Sequence, residues 1–92
     1  MPRLTGGEAI VRSLVKHGID TLFGLPGVQT YYLYDALYDV PDKIRVIHTR
    51  HEQGTAYMAL GYALSSERVG VYNVVPGPGL LNTTAALSTA YA

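Results

Sequence analysis

The chain has 92 residues, 48% of them apolar and 15% charged, which sets the scale at one small domain. Seven basic and seven acidic side chains cancel and form no basic stripe, so nucleic acid is not an expected partner. Cysteine is absent, which excludes disulfides and thiolate metal sites. The apolar runs are too short to span a membrane. Arg3 and Glu8 inside a helical pattern do not suit a secretory leader, so the expected compartment is the cytoplasm.

Thr5-Gly-Gly-Glu8 has the spacing of a capping box and opens a first helix. Ala9, Ile10, Leu14 and Val15 recur at helical spacing and predict its apolar face. His17-Gly18 closes it, with Gly18 suited to a left-handed cap and His17 a cation at the helix C-terminus. A strand is predicted over 20–25, ended by Pro26-Gly27, and a second helix over 30–38, ended before Pro41. Most of its tyrosines (Tyr31, Tyr32, Tyr34, Tyr38) are expected in core or interface packing. A second strand over 44–48, with Ile44, Val46 and Ile47, suits burial on both faces. A third helix over 51–64 is dense in small residues, Gly54, Ala56, Ala59, Gly61 and Ala63. A third strand follows over 69–75, then the turn Pro76-Gly-Pro-Gly79, then a fourth helix from Leu80 onward. That helix meets no stop signal, so the chain is expected to be the N-terminal portion, residues 1–92, of a larger domain. Helices alternating with strands predict an α/β fold, a parallel sheet with right-handed crossovers and helices on both faces. Three strands alone would leave open sheet edges, a second reason to expect more chain.

In such a sheet ligands bind outside the carboxyl ends of the strands. Gly24-Leu-Pro-Gly27, Thr49-Arg-His-Glu-Gln-Gly54 and Pro76-Gly-Pro-Gly79-Leu-Leu-Asn82 should converge there. The first and last are Gly/Pro turns that let a ligand approach backbone closely. The middle one places charge: Glu52 falls at a strand-to-helix junction, where helix amides favour a carboxylate. On charge alone Glu52 reads first as a residue that stabilises its helix end, since acidic first turns are routine. Asn82 likewise reads either as a ligand contact or as a helix cap. His48 and His51 do not make the inverted zinc motif, because the order is His-x-x-His-Glu, and no metal site is expected.

The run Thr49-Arg50-His51-Glu52-Gln53-Gly54, continued by Ala56 and Gly61-Tyr62-Ala63, resembles the glutamate segment of thiamine diphosphate enzymes. Gly24-Leu-Pro-Gly27 before it and Gly77-Pro-Gly79 with Asn82 after it match that family in order and spacing. The resemblance is greatest to the acetolactate synthase and carboligase-decarboxylase branch and runs from Leu4 to Ala92. It implies the pyrimidine-binding domain of an enzyme acting on a 2-keto acid. Glu52 would favour the imino tautomer of the cofactor's aminopyrimidine by hydrogen bonding to its ring nitrogen, and burial between subunits would raise its pKa. Pro26, Gly27, Gly77, Pro78, Gly79 and Asn82 would contact the cofactor, with Val28, Gln29 and His51 near the substrate. The family places an acidic residue where Val28 stands in pyruvate decarboxylases, and usually Ser or Thr where this chain has Val75-Pro76.

The resemblance also implies a homodimer or homotetramer, with the third helix near the paired surface. Mg2+ would be bound by a domain outside this chain, so the fragment alone should be inactive; FAD is left open as a further cofactor. Two other readings stand beside it. Gly77-Pro-Gly79-Leu-Leu-Asn82 is a near miss of a dinucleotide fingerprint, departing at Asn82. A non-catalytic subunit-pairing module of the same fold would be marked by loss of the glutamate, which is present.

Overall fold

A computed structural model describes residues 3–92. The elements run α1 Gly6–Lys16, β1 Thr21–Gly24, α2 Tyr31–Tyr38, β2 Arg45–His48, α3 Glu52–Ser66, β3 Tyr72–Asn73, α4 Pro78–Leu81 and α5 Thr84–Tyr91, with a 3-10 turn over Val28–Thr30. The strands form one parallel sheet in the order β2-β1-β3. Leu22 and Phe23 alternate across it, as strand geometry requires. Leu22 joins Val11, Leu33, Ala36, Leu37 and Ile44 in a core beneath α1 and α2. Phe23 turns the other way and meets Tyr62 of α3 edge-on at 5.7 Å, where α3 also packs on α5. Helices therefore cover both faces, as the sequence predicts.

The capping box forms as expected: the Glu8 amide donates to Thr5 Oγ1 at 3.1 Å and the Thr5 amide to Glu8 Oε1 at 2.8 Å. Gly18 is left-handed, with φ 77°. The buried stripe of α1 is shifted from the one predicted. Gly7 and Val11 are buried, Leu14 and Val15 partly so, while Ala9 and Ile10 face outward. The reason is tertiary: Gly7 lies against the Tyr32 carbonyl, where any Cβ would collide with backbone.

Other boundaries are also corrected. β2 starts after Ile44 and is an edge strand; Arg45 and His48 are exposed and Val46 and Ile47 half-buried, so it is not buried on both faces. β1 is shorter than 20–25, and β3 keeps only Tyr72–Asn73 of the predicted 69–75. α2 begins one residue late, and α3 runs to Ser66, stopped by Glu67 at φ 60°. The fourth helix begins earlier, at Pro78, and is broken at Asn82-Thr83 into α4 and α5. Tyr31, Tyr32 and Tyr38 are exposed rather than in the core; Tyr34 is half-buried. His17 caps α1, its Nδ1 2.7 Å from the Ser13 carbonyl.

The small residues of α3 divide between two faces. Thr55, Ala56 and Ala59 are buried against the sheet, whereas Gly54 and Gly61 have open space where a Cβ would project.

Candidate functional site

The strand order reverses about β1: the chain goes first to β2 on one side, then to β3 on the other. The crevice between the carboxyl ends of β1 and β3 is thus the topological switch point, where open α/β sheets bind ligands. β1 ends at Gly24, which pairs with His48 on one side and Asn73 on the other.

The predicted segments meet at this crevice, and Val75 joins them. A Cβ on Gly27 would strike Val75 Cγ1. A Cβ on Gly79 would lie 2.7 Å from Val75 Cγ2 and 3.6 Å from Glu52 Oε2. Glycine at 27 and 79 therefore lets two turns close around one valine, and brings the second turn beside the Glu52 carboxylate. Gly77 has φ 72°, which frees the backbone to turn from β3 into α4, with Pro78 at the first turn of that helix.

Glu52 stands at the start of α3. The turn that delivers it is braced by Thr49 and Thr55, whose hydroxyls contact each other and both donate to the His51 carbonyl, at 3.1 and 3.2 Å. His51 is the N-cap of α3, its Nδ1 accepting from the Gln53 amide at 3.0 Å. Glu52 Oε1 accepts a 3.1 Å hydrogen bond from Asn82 Nδ2. A carboxylate can only accept, so the amide must present its NH2. This bond first, then an amide at the helix end and nearby His51, hold the Glu52 pKa below its ordinary 4.5. In this single chain Glu52 is only half-buried and these hydrogen bonds outweigh desolvation; the rise expected from burial between subunits concerns the paired enzyme.

Of the predicted site residues, Glu52, Gly79 and Asn82 come together directly, and Gly27 joins them through Val75. Gly77 and Pro78 form the turn beside them. Pro26, Val28 and Gln29 lie further out and are exposed. Pro26, Gly27 and Val28 border a cavity of about 520 Å3 with Tyr31, Tyr34 and Asp35. A second cavity, of about 760 Å3, lies between α2 and β2 and does not include Glu52. The Tyr34 hydroxyl and Asn73 Oδ1 are buried without a partner among the described residues. Tyr34 stacks on His48 at 6.3 Å, and its hydroxyl lies against Gly24. The sequence reading missed Val75 as a hub, and Tyr34, Asn73 and Thr83. A polar Asn73 inside the apolar run 71–75 was the available signal.

These residues fit the aminopyrimidine half of thiamine diphosphate: a carboxylate at the switch-point crevice, one oxygen held by Asn82, with two Gly/Pro turns closed beside it. Among the described residues no group of three or more His, Cys, Asp or Glu could hold a metal ion.

A fold of this topology, with a carboxylate at its switch point, defines a class of cofactor-binding α/β domain. Residues 4–92 match the model for the thiamine pyrophosphate enzyme family, N-terminal TPP binding domain, and the chain belongs to that family. It is 49% identical over 89 residues to a probable 2-ketoarginine decarboxylase of Pseudomonas aeruginosa, covering 97% of this chain and 16% of that protein. It is 42% identical over 90 residues to an acetolactate synthase of Mycobacterium bovis, covering 98% and 14%. It is 43% identical over 88 residues to an acetolactate synthase large subunit of Corynebacterium glutamicum, covering 96% and 14%. The chain thus spans only 14–16% of the length of these relatives.

Proposed function

We propose that this chain is the N-terminal portion of the pyrimidine-binding domain of a thiamine diphosphate-dependent 2-keto acid carboligase or decarboxylase, and that Glu52 is its catalytic carboxylate. The observation that carries the reading is Glu52 at the switch-point crevice, with Oε1 held by Asn82 and Oε2 beside Gly79. When bound, the cofactor supplies a carbon acid and an electron sink for 2-keto acid chemistry. Glu52 holds a proton at the aminopyrimidine ring nitrogen and so makes the exocyclic amine a better base. Pro26, Gly27, Gly77, Pro78 and Gly79 line the ring's side of the crevice, and Val28, Gln29 and His51 stand toward the substrate.

A separate domain is proposed to hold diphosphate and Mg2+, and the chain alone to be inactive; among the described residues no group of three or more His, Cys, Asp or Glu could hold a metal ion. A cytoplasmic homodimer or homotetramer remains part of the proposal, supported by the family; FAD does not. The segment Arg50-His51-Glu52-Gln53-Gly54 favours acetolactate-synthase-like carboligation. The 49% identity to a relative named for 2-ketoarginine favours decarboxylation of a cationic 2-keto acid as the second reading.

The test is hydrogen–deuterium exchange at the cofactor's thiazolium carbon, in the full-length polypeptide with magnesium, for wild type and Glu52→Gln. The expected loss is about 10²–10⁴-fold, the usual worth of acid–base assistance. Equal, slow exchange in both proteins would reduce Glu52 to a helix-end carboxylate.

A further inference from the structure

The break between α4 and α5 has its own internal support. Thr83 is fully buried, with 0% exposure. Its hydroxyl donates to the Leu80 carbonyl at 2.7 Å and accepts from the Tyr72 hydroxyl at 3.0 Å. Tyr72 belongs to β3, so the break is tied to the sheet. Without that tie nothing in 80–91, a run of Leu, Ala, Ser and Thr with Asn82 and Tyr91, would stop one helix from continuing. The neighbouring residue, Asn82, caps neither helix with its side chain; that side chain reaches 30 residues back to Glu52.

We infer that Asn82 is a positioning residue for Glu52, and that the Tyr72–Thr83 hydrogen bond anchors it by fixing the helix break. The amide occupies Oε1 and so leaves Oε2 without that bond, on the side of Gly79 and Val75. A free glutamate side chain would sample several rotamers; one charge-assisted bond selects among them. The inference rests on the reading of Glu52 given above. The segments 24–27 and 75–82 bring no charged side chain to Glu52; the charged and titratable groups nearest to it in sequence are Arg50 and His51, of which His51 acts on it electrostatically. Removing Asn82 therefore leaves a carboxylate that protonates more readily.

The test compares Asn82→Ala, Thr83→Val, the double variant and Glu52→Gln in the full-length polypeptide with thiamine diphosphate and magnesium. Two quantities are read across pH: thiazolium-carbon exchange, and cofactor affinity by calorimetry. Asn82→Ala is expected to slow exchange about tenfold, within the usual worth of a hydrogen bond to a charged group. It should also move the acid limb of both pH profiles upward. Thr83→Val should do the same in part, Thr83→Ser should restore wild-type behaviour, and the double variant should be no worse than Asn82→Ala alone. Unchanged exchange and pH profile in Asn82→Ala, with exchange lost in Glu52→Gln, would overturn the inference and leave the Glu52 reading intact. No loss in Glu52→Gln would overturn both. Additive effects in the double variant would separate Thr83 from Asn82 and remove the anchor. If Thr83→Val does not fold, Tyr72→Phe breaks the same hydrogen bond with the ring retained, and the same expectations apply to it.

Discussion

Tyr34 shows how a single side chain can be fixed by packing and left unsatisfied by chemistry. Its ring stacks on His48 while its hydroxyl is pressed against Gly24, buried and without a hydrogen-bond partner among the described residues. Burial penalises the phenolate and pushes the pKa up to about 12 from 10.0. The folded state thus keeps its proton longer than the unfolded one, so stability is lost as pH rises from 10 towards 12. Tyr34→Phe removes a buried, unpaired hydroxyl and is expected to be neutral or stabilising by about 1 kcal/mol. It should also flatten the alkaline limb of a thermal unfolding series. A clear loss of stability at pH 7 would show that the hydroxyl has a partner in the native protein. Glu52 is the contrasting case, a carboxylate held ionised by Asn82 rather than neutralised by burial. Asn82 was legible in the sequence as one of two things, a ligand contact or a cap. It caps neither helix with its side chain, and only the fold could bring it 30 positions back to Glu52.

At the scale of elements, close approach decides more than periodicity. The apolar residues of α1 are compatible with two neighbouring stripes, and the sequence reading took the one centred on Ile10. Gly7 settles the choice, because it alone lets the Tyr32 backbone approach, and this rotates Val11 inward. Gly7→Val should force α1 and α2 apart and cost about 1–3 kcal/mol, the usual range for overpacking, measured as a fall in denaturation midpoint. Gly6→Val on the same turn has open space around it and should cost less. The same logic explains the end of the chain. Helix propensity predicts one helix from Leu80, whereas the Thr83 hydroxyl, held by Tyr72, interrupts it. The strands were predicted too long because the apolar runs extend beyond the hydrogen-bonded ladder. The ladder ends at Asn73, and Val75 packs against Gly27 and Gly79 rather than pairing.

For the whole molecule, the sheet order β2-β1-β3 places one crevice between helices on opposite faces, and the motifs converge on it. That crevice has a carboxylate for a heterocycle, and among the described residues no group of three or more His, Cys, Asp or Glu could hold the metal that accompanies a diphosphate. The 92-residue chain on its own is therefore expected to give no turnover on any 2-keto acid, and to bind thiamine diphosphate no better with magnesium than without. Calorimetry with and without the metal checks this; a magnesium-dependent gain in affinity would mean that this chain holds the diphosphate.

The sequence by itself determined the alternation of helices and strands, the capping box at Thr5 and Glu8, and the turns at Pro26-Gly27 and Gly77-Pro-Gly79. Each depends on local sterics and hydrogen bonding within a few residues. It also carried the family, through three motifs in register. The tertiary structure alone decided the strand order, the rotation of α1, the helix break at Thr83, the role of Val75 between two glycines, and the bond from Asn82 to Glu52. These are contacts between segments far apart in the chain, and no local preference encodes which distant partner a side chain will meet.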